Sequence, residues 1–155
     1  MPVHVALLRL LLAAALGGLV GYERETIRKP AGLRTMMLVG LGSCLFTLAS
    51  FEMVRGAPAA DPSRIAAQIV TGIGFLGAGS IIRAGTSVVG VTTAASIWLV
   101  AAVGLAVGAG LYFHAVFATV LGYTILRLVE RILERKKRET RAGDALGEQA
   151  PQNRA

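Results

Sequence analysis

The sequence predicts an all-α fold: a polytopic transmembrane helical bundle of about five spans, followed by a basic tail. Three observations predict it. Hydrophobic residues fill 54% of the 155 positions and charged ones only 16%, against about 25% charged residues in an ordinary soluble domain. No acidic residue occurs between Asp61 and Glu130, and no charge of either sign between Arg83 and Arg127. Lys and Arg gather at the ends of the apolar runs rather than along a groove interleaved with aromatics, so the net charge of +7 points to a membrane surface and not to nucleic acid.

A span of about 20 apolar residues crosses the hydrocarbon core. The first such run covers about Val3–Tyr22, the second Thr35–Val54, the third Ile65–Ile82, the fourth Ser87–Val107 and the fifth Leu111–Val129. Pro30, Pro58 and Pro62 fall in the connections, where helix breakers belong, and Gly108-Ala109-Gly110 separates the last two runs. A re-entrant third segment would reduce the count to four. The first run has a scarcely basic start and is interrupted by Arg9, which departs from a cleaved signal and reads as a retained helix. The transmembrane domain thus covers residues 1–130 and the basic cytoplasmic tail 131–155. Arg24, Arg28, Lys29 and Arg34 in the first connection, Arg83 in the third and the tail cluster Arg131 to Arg141 share one side, so the positive-inside rule puts the N-terminus outside and the C-terminus in the cytoplasm. The tail keeps a helical pattern to about Glu139, with Glu134 and Arg138 at i,i+4 spacing and its cations against anionic headgroups. From about Ala142 the composition reads as disordered.

Glycine is the most informative residue type. Gly17/Gly21 and Gly104/Gly108 are G-x-x-x-G pairs, which let membrane helices approach closely, within one bundle or between copies in a homo-oligomer. Gly72, Gly74 and Gly77 match G-x-G-x-x-G by spacing, but no strand precedes them and no acidic residue follows about 20 positions on, so the pattern is not a dinucleotide fingerprint. With Gly79 they suggest a thin helix in close contact, or a broken one. Gln68, Thr71, Ser80, Thr92, Thr93 and Ser96 offer a polar seam between helices, or hydrogen bonds back to their own helices. Charge at membrane depth is costly. Arg9 and Glu52 share a depth on the same side, which suggests an ion pair, with snorkelling of Arg9 as the alternative. Glu23, Arg24 and Glu25 end the first span opposite the cations of the first connection, forming a cluster for an ion, a headgroup or a partner protein, or merely a solvated helix end. The lone Cys44 excludes an intrachain disulfide, and no nucleophile–base pair, metal cluster or phosphate loop can be read, so neither an enzyme nor a cofactor is expected.

Four ordered motifs carry a resemblance. They are Leu16 through Glu25, Ala31-Gly32-Leu33-Arg34-Thr35, Thr71 through Gly79, and Val91-Thr92-Thr93-Ala94-Ala95 with Ser96, Ile97 and Trp98. In this order and at these separations they resemble the MgtC/SapB family of bacterial inner-membrane proteins, over roughly residues 5–125. The resemblance implies a five-helix domain in the bacterial cytoplasmic (inner) membrane, linked to growth at low magnesium and to intracellular survival of pathogens. It implies a regulator that binds another membrane complex, in the best-known branch the proton-translocating ATP synthase. The virulence branch adds a C-terminal ACT-like domain, so this chain looks like the short form. Met36 stands where many relatives have a polar residue, and a polar role there does not carry over. On this reading Gly72, Gly74, Gly77 and Gly79 shape a helix contact with a partner, together with Thr92 and Thr93. Glu23, Arg24, Glu25, Gly32, Arg34 and Thr35 form a cytoplasmic docking face. The alternative is a small magnesium transporter or channel, as a homo-oligomer.

Overall fold

The computed structural model describes residues 1–56 and 60–148. It contains five helices and one small hairpin in the order α1 (Val3–Thr26), α2 (Leu33–Met53), α3 (Ser63–Gly79), β1 (Ile82–Ala84), β2 (Ser87–Val89), α4 (Val91–Gly108) and α5 (Tyr112–Glu148). The chain divides into two units, Met1–Tyr123 and Thr124–Ala155. α1, α2, α4 and the Tyr112–Ile132 part of α5 are long and apolar enough to cross a membrane. α3 has 17 residues, about 25 Å at the helical rise, slightly less than a hydrocarbon core of about 30 Å.

The helix ends follow from local chemistry. α1 stops where Arg28 turns left-handed at φ 55 and the Lys29 amide bonds back to the Arg24 carbonyl at 2.9 Å, with Pro30 next in the chain. α2 starts on the Glu25 carboxylate, which accepts from the Leu33 amide at 2.7 Å. Asp61 accepts from the Ser63 amide at 2.8 Å at the entry to α3, and hydrogen bonding from the Ser63 hydroxyl, then from this amide, holds its carboxyl below the usual carboxylate range. α4 ends at Gly110, where φ 84 and a 2.8 Å bond from the Leu111 amide to the Ala106 carbonyl close the turn.

α3 is continuous through its glycines and runs from one end of the bundle to the other. Ser50 Oγ of α2 donates to the Pro62 carbonyl at its start, and Gly77 lies against Ala94 of α4 near its finish. It is not broken. The expected third span to Ile82 and fourth from Ser87 need correction, because residues 82–89 are an antiparallel hairpin with Ala84 opposite Ser87. Its two-residue Gly85-Thr86 turn has Gly85 at φ 62, a conformation that suits the first position of a tight hairpin turn. α5 remains helical to Glu148, past Ala142 where composition predicts disorder; residues 131–148 are rich in Glu, Lys, Arg and Ala, which favour helix. Residues 149–155 and the Glu134 and Arg138 side chains, with their expected pairing, lie outside the described residues.

Ala13, Cys44, Leu48, Val103, Val107 and Ala115 form the core, drawn from α1, α2, α4 and α5. Large apolar side chains such as Leu7, Leu11, Leu38, Phe46, Phe113 and Phe117 point outward. A soluble fold would hide such residues; a bundle in lipid presents them to acyl chains.

Candidate functional site

Four glycine contacts set how closely the helices approach. A Cβ on Gly17 would sit 2.5 Å from the Met36 carbonyl oxygen, and one on Gly21 2.8 Å from Leu33 Cα, so α1 and α2 touch backbone to backbone. At Gly108 a Cβ would meet Thr47 Cβ at 2.7 Å, and at Gly104 it would meet the Gly40 carbonyl, which closes α2 on α4. Both G-x-x-x-G pairs therefore pack inside one bundle. Gly40, which faces the Ala13 carbonyl on α1 and lends its own carbonyl to the Gly104 contact, is not marked by spacing.

This close packing buries a charge pair at the end of α1. Glu23 and Arg24 are 0% and 1% exposed. Arg24 Nε donates to Glu23 Oε2 at 2.6 Å and Arg24 Nη2 to Glu23 Oε1 at 3.0 Å, a bidentate pair. Adjacent residues on a helix normally point about 100° apart. Here both side chains bend into one enclosed site. Gly17 approaches Val100 of α4, and seven residues along each antiparallel helix bring Arg24 to the level of Thr93, which is also buried.

The expected docking face is corrected accordingly. Glu23 and Arg24 are interior groups and present no surface to a partner. Glu25 is exposed and serves as the cap of α2, and a Cβ on Gly32 would come within 2.5 Å of its Oε2. Arg34 and Thr35 are exposed at the start of α2. Thr93 is buried and Thr92 exposed, the latter accepting from Ser96 Oγ at 2.8 Å. Thr71 and Ser80 likewise bond to carbonyls of their own helix, at Ala67 and Gly77. These three hydroxyls satisfy their own helices instead of lining a seam.

The expected Arg9–Glu52 pair does not form. Arg9 Nε donates to the Tyr112 hydroxyl at 2.7 Å and Nη1 to the Gly108 carbonyl at 2.7 Å, with the guanidinium 5.5 Å from the Tyr112 ring centre. Glu52 binds Arg55 one turn on at 2.9 Å and lies 3.8 Å from the N-terminal amine. The terminal carbonyls of α4 carry the negative end of its dipole, and that is where the Arg9 cation goes. Tyr112→Phe is therefore expected to lower stability by about 1–2 kcal/mol, whereas Glu52→Gln should leave the melting temperature within about a degree. Equal effects in a detergent melt would restore the Arg9–Glu52 reading.

The third helix behaves differently from the others. Gly77 alone of its glycines meets a neighbour, Ala94 Cβ at 3.6 Å; nothing lies within 4 Å of a Cβ placed on Gly72, Gly74 or Gly79. On one side, Gly72 lines an open apolar groove of about 650 Å³ between Thr35–Phe46 of α2 and Ile65–Leu76 of α3. About 160° around the helix, Ala67, Thr71, Gly74 and Ala78 make an exposed small-residue face. Among the described residues, no group of three or more His, Cys, Asp or Glu stands close enough to hold a metal ion.

Known proteins show the family to which this chain belongs. Residues 10–135 match the model of the MgtC family. The chain is 44% identical over 131 residues to a protein of Escherichia coli K12 named "Putative magnesium transporter YhiD", covering 81% of this chain and 61% of that one. It is 47% identical over 122 residues to Protein MgtC of Brucella abortus, covering 79% and 50%. With Protein MgtC of Salmonella typhimurium it shares 46% identity over 115 residues, covering 74% and 48%. The chain thus spans about half to three-fifths of the length of these relatives. No solved structure matches it.

Proposed function

This chain belongs to the MgtC family of magnesium-related, multi-pass membrane proteins, and from that premise we propose that it is a non-enzymatic regulator that binds another complex in the bacterial inner membrane. Its N-terminus faces outward and its basic tail the cytoplasm. The complex implied by the family resemblance is the proton-translocating ATP synthase. One observation carries the reading. The glycines of α1 and α4, with Gly40 of α2, are spent on contacts within the chain, while the Ala67–Thr71–Gly74–Ala78 face of α3 is exposed and Gly74 has nothing within 4 Å of its Cβ position. Lipid supplies no hydrophobic drive between helices, so a small-residue face contributes by letting another backbone come close.

Gly74→Leu is the test. With open space around it, the new side chain leaves the fold intact and blocks only an approaching helix. The expected result is unchanged membrane level and melting temperature, loss of the partner in crosslinked affinity purification, and poor growth at limiting magnesium. Wild-type recovery of the same partner would end this reading. The name of the Escherichia coli relative favours a second one, magnesium transport. Magnesium flux into liposomes containing only this protein would establish that alternative.

A further inference from the structure

We infer that the groove between α2 and α3 is a binding site for one acyl chain of an anionic phospholipid, whose phosphate is met by Arg34 and Arg83. The inference does not depend on the partner-docking face, which lies on the far side of α3. It starts from the shape of the groove. Its α2 wall runs from Thr35 to Phe46 and its α3 wall from Ile65 to Leu76. Each wall covers eleven residue steps, about 16 Å of helix. A single leaflet of the hydrocarbon core is about 15 Å deep. The two helices are antiparallel, so Thr35 and Leu76 share one mouth, at the end where the first connection and the hairpin emerge. The groove therefore runs from that mouth along most of α3 for about the length of one lipid tail.

The lining is mainly apolar, with Leu38, Ile69 and Leu76 among its side chains and the bare backbones of Gly42 and Gly72 as its floor. Among the described residues nothing lies within 4 Å of a Cβ on either glycine, so the floor is uncovered at both.

Charge at the mouth selects the headgroup. Arg28, Lys29, Arg34 and Arg83 are all exposed there. The acidic groups at the same end are otherwise engaged, Glu23 with Arg24 inside the bundle and Glu25 with the Leu33 amide. Arg34 directly precedes Thr35 at the rim, and Arg83 follows the last turn of α3 in the hairpin, its Nε on the Gly85 carbonyl. Two guanidinium groups, one at the start of α2 and one in the hairpin after α3, suit a phosphodiester, which takes bidentate hydrogen bonds. A net positive rim over an apolar slot about as long as one acyl chain matches an anionic lipid at both ends of the molecule.

Native mass spectrometry of the full chain, released from detergent after delipidation and re-addition of defined lipids, tests this. One molecule of phosphatidylglycerol should be retained per chain, with about tenfold preference over phosphatidylcholine, the order expected for two cations beside an anionic headgroup. Gly42→Leu and Gly72→Leu fill the slot without striking the fold, and both should lose the retained lipid at an unchanged melting temperature. Arg34→Gln with Arg83→Gln should keep a lipid but abolish the preference. Equal retention of both lipids by the native chain, or undiminished retention by the two leucine variants, overturns the inference. Failure of Gly74→Leu to affect partner recovery leaves it standing, because Gly74 is not in the groove.

Discussion

Glu23→Gln is expected to destabilise the bundle by about 3 kcal/mol, the low end of the cost of breaking a buried ion pair by removing one partner. At this chain length that corresponds to a melting temperature lower by about 10 °C. The argument rests on enclosure. The carboxylate and the guanidinium are both almost inaccessible and joined by two short hydrogen bonds. An amide in place of the carboxylate removes the negative charge and substitutes a donor for one of the two acceptors facing the guanidinium. The replacement is nearly isosteric, so a loss of this size measures charge rather than volume. Glu23→Leu combined with Arg24→Met should recover most of the stability, since an apolar pair in place of a buried ion pair is often neutral or better. Thermal melts in one detergent at fixed ionic strength decide the matter. A Glu23→Gln protein that melts with the wild type would mean that water reaches the pair and that the end of α1 is open.

That pair shows where sequence reading reached its limit. Glu23-Arg24-Glu25 stands at the polar end of an apolar span and has the look of a solvated terminus. What encloses it is the closeness of α2 at Gly21 and of α4 along α1, a property of three helices together. The helices themselves were legible, because uncharged runs of about 20 residues leave little alternative. The hairpin was less so. Ile81 and Ile82 before its turn and Val88 and Val89 after the turn continue the apolar pattern of the flanking helices, and only Gly85-Thr86 marks the turn. Depth along a helix was readable for Arg9 and Glu52, but direction around it was not. Direction decided the outcome: Arg9 went to the end of α4 and Glu52 to its neighbour one turn on.

Glycine posed the same difficulty in reverse. Four glycines in eight residues made Thr71–Gly79 the evident place for close contact, yet three of the four face open space. A glycine marks where a backbone can be approached. Whether anything approaches depends on the partner surface, which spacing does not encode. In α1 and α4 the partner surface is α2 of the same chain. In α3 it lies outside the chain: lipid on the groove side and a second protein on the Gly74 side, as proposed above.

The second large effect follows from this partition. Gly104→Leu is expected to remove the folded protein almost entirely. A Cβ at residue 104 would fall on the Gly40 carbonyl and within 3.0 Å of Ser43 Cβ, so the obstruction is backbone that no rotamer change relieves. α2 and α4 would have to separate at the position where both also carry core residues Cys44, Val103 and Val107. Overpacking alone costs about 1–3 kcal/mol, occasionally more, and opening this seam adds the loss of close van der Waals contact that holds helices together in lipid. Gly72→Leu, the same change in the same bundle, should melt like the wild type, because its neighbourhood is empty. Steady-state levels in membranes and melting temperatures of the two variants, measured side by side, give the comparison. If Gly104→Leu accumulates and melts normally, α2 and α4 stand further apart than described. If Gly72→Leu also collapses, α3 is packed against something within the chain, and the face assigned to outside partners is not free.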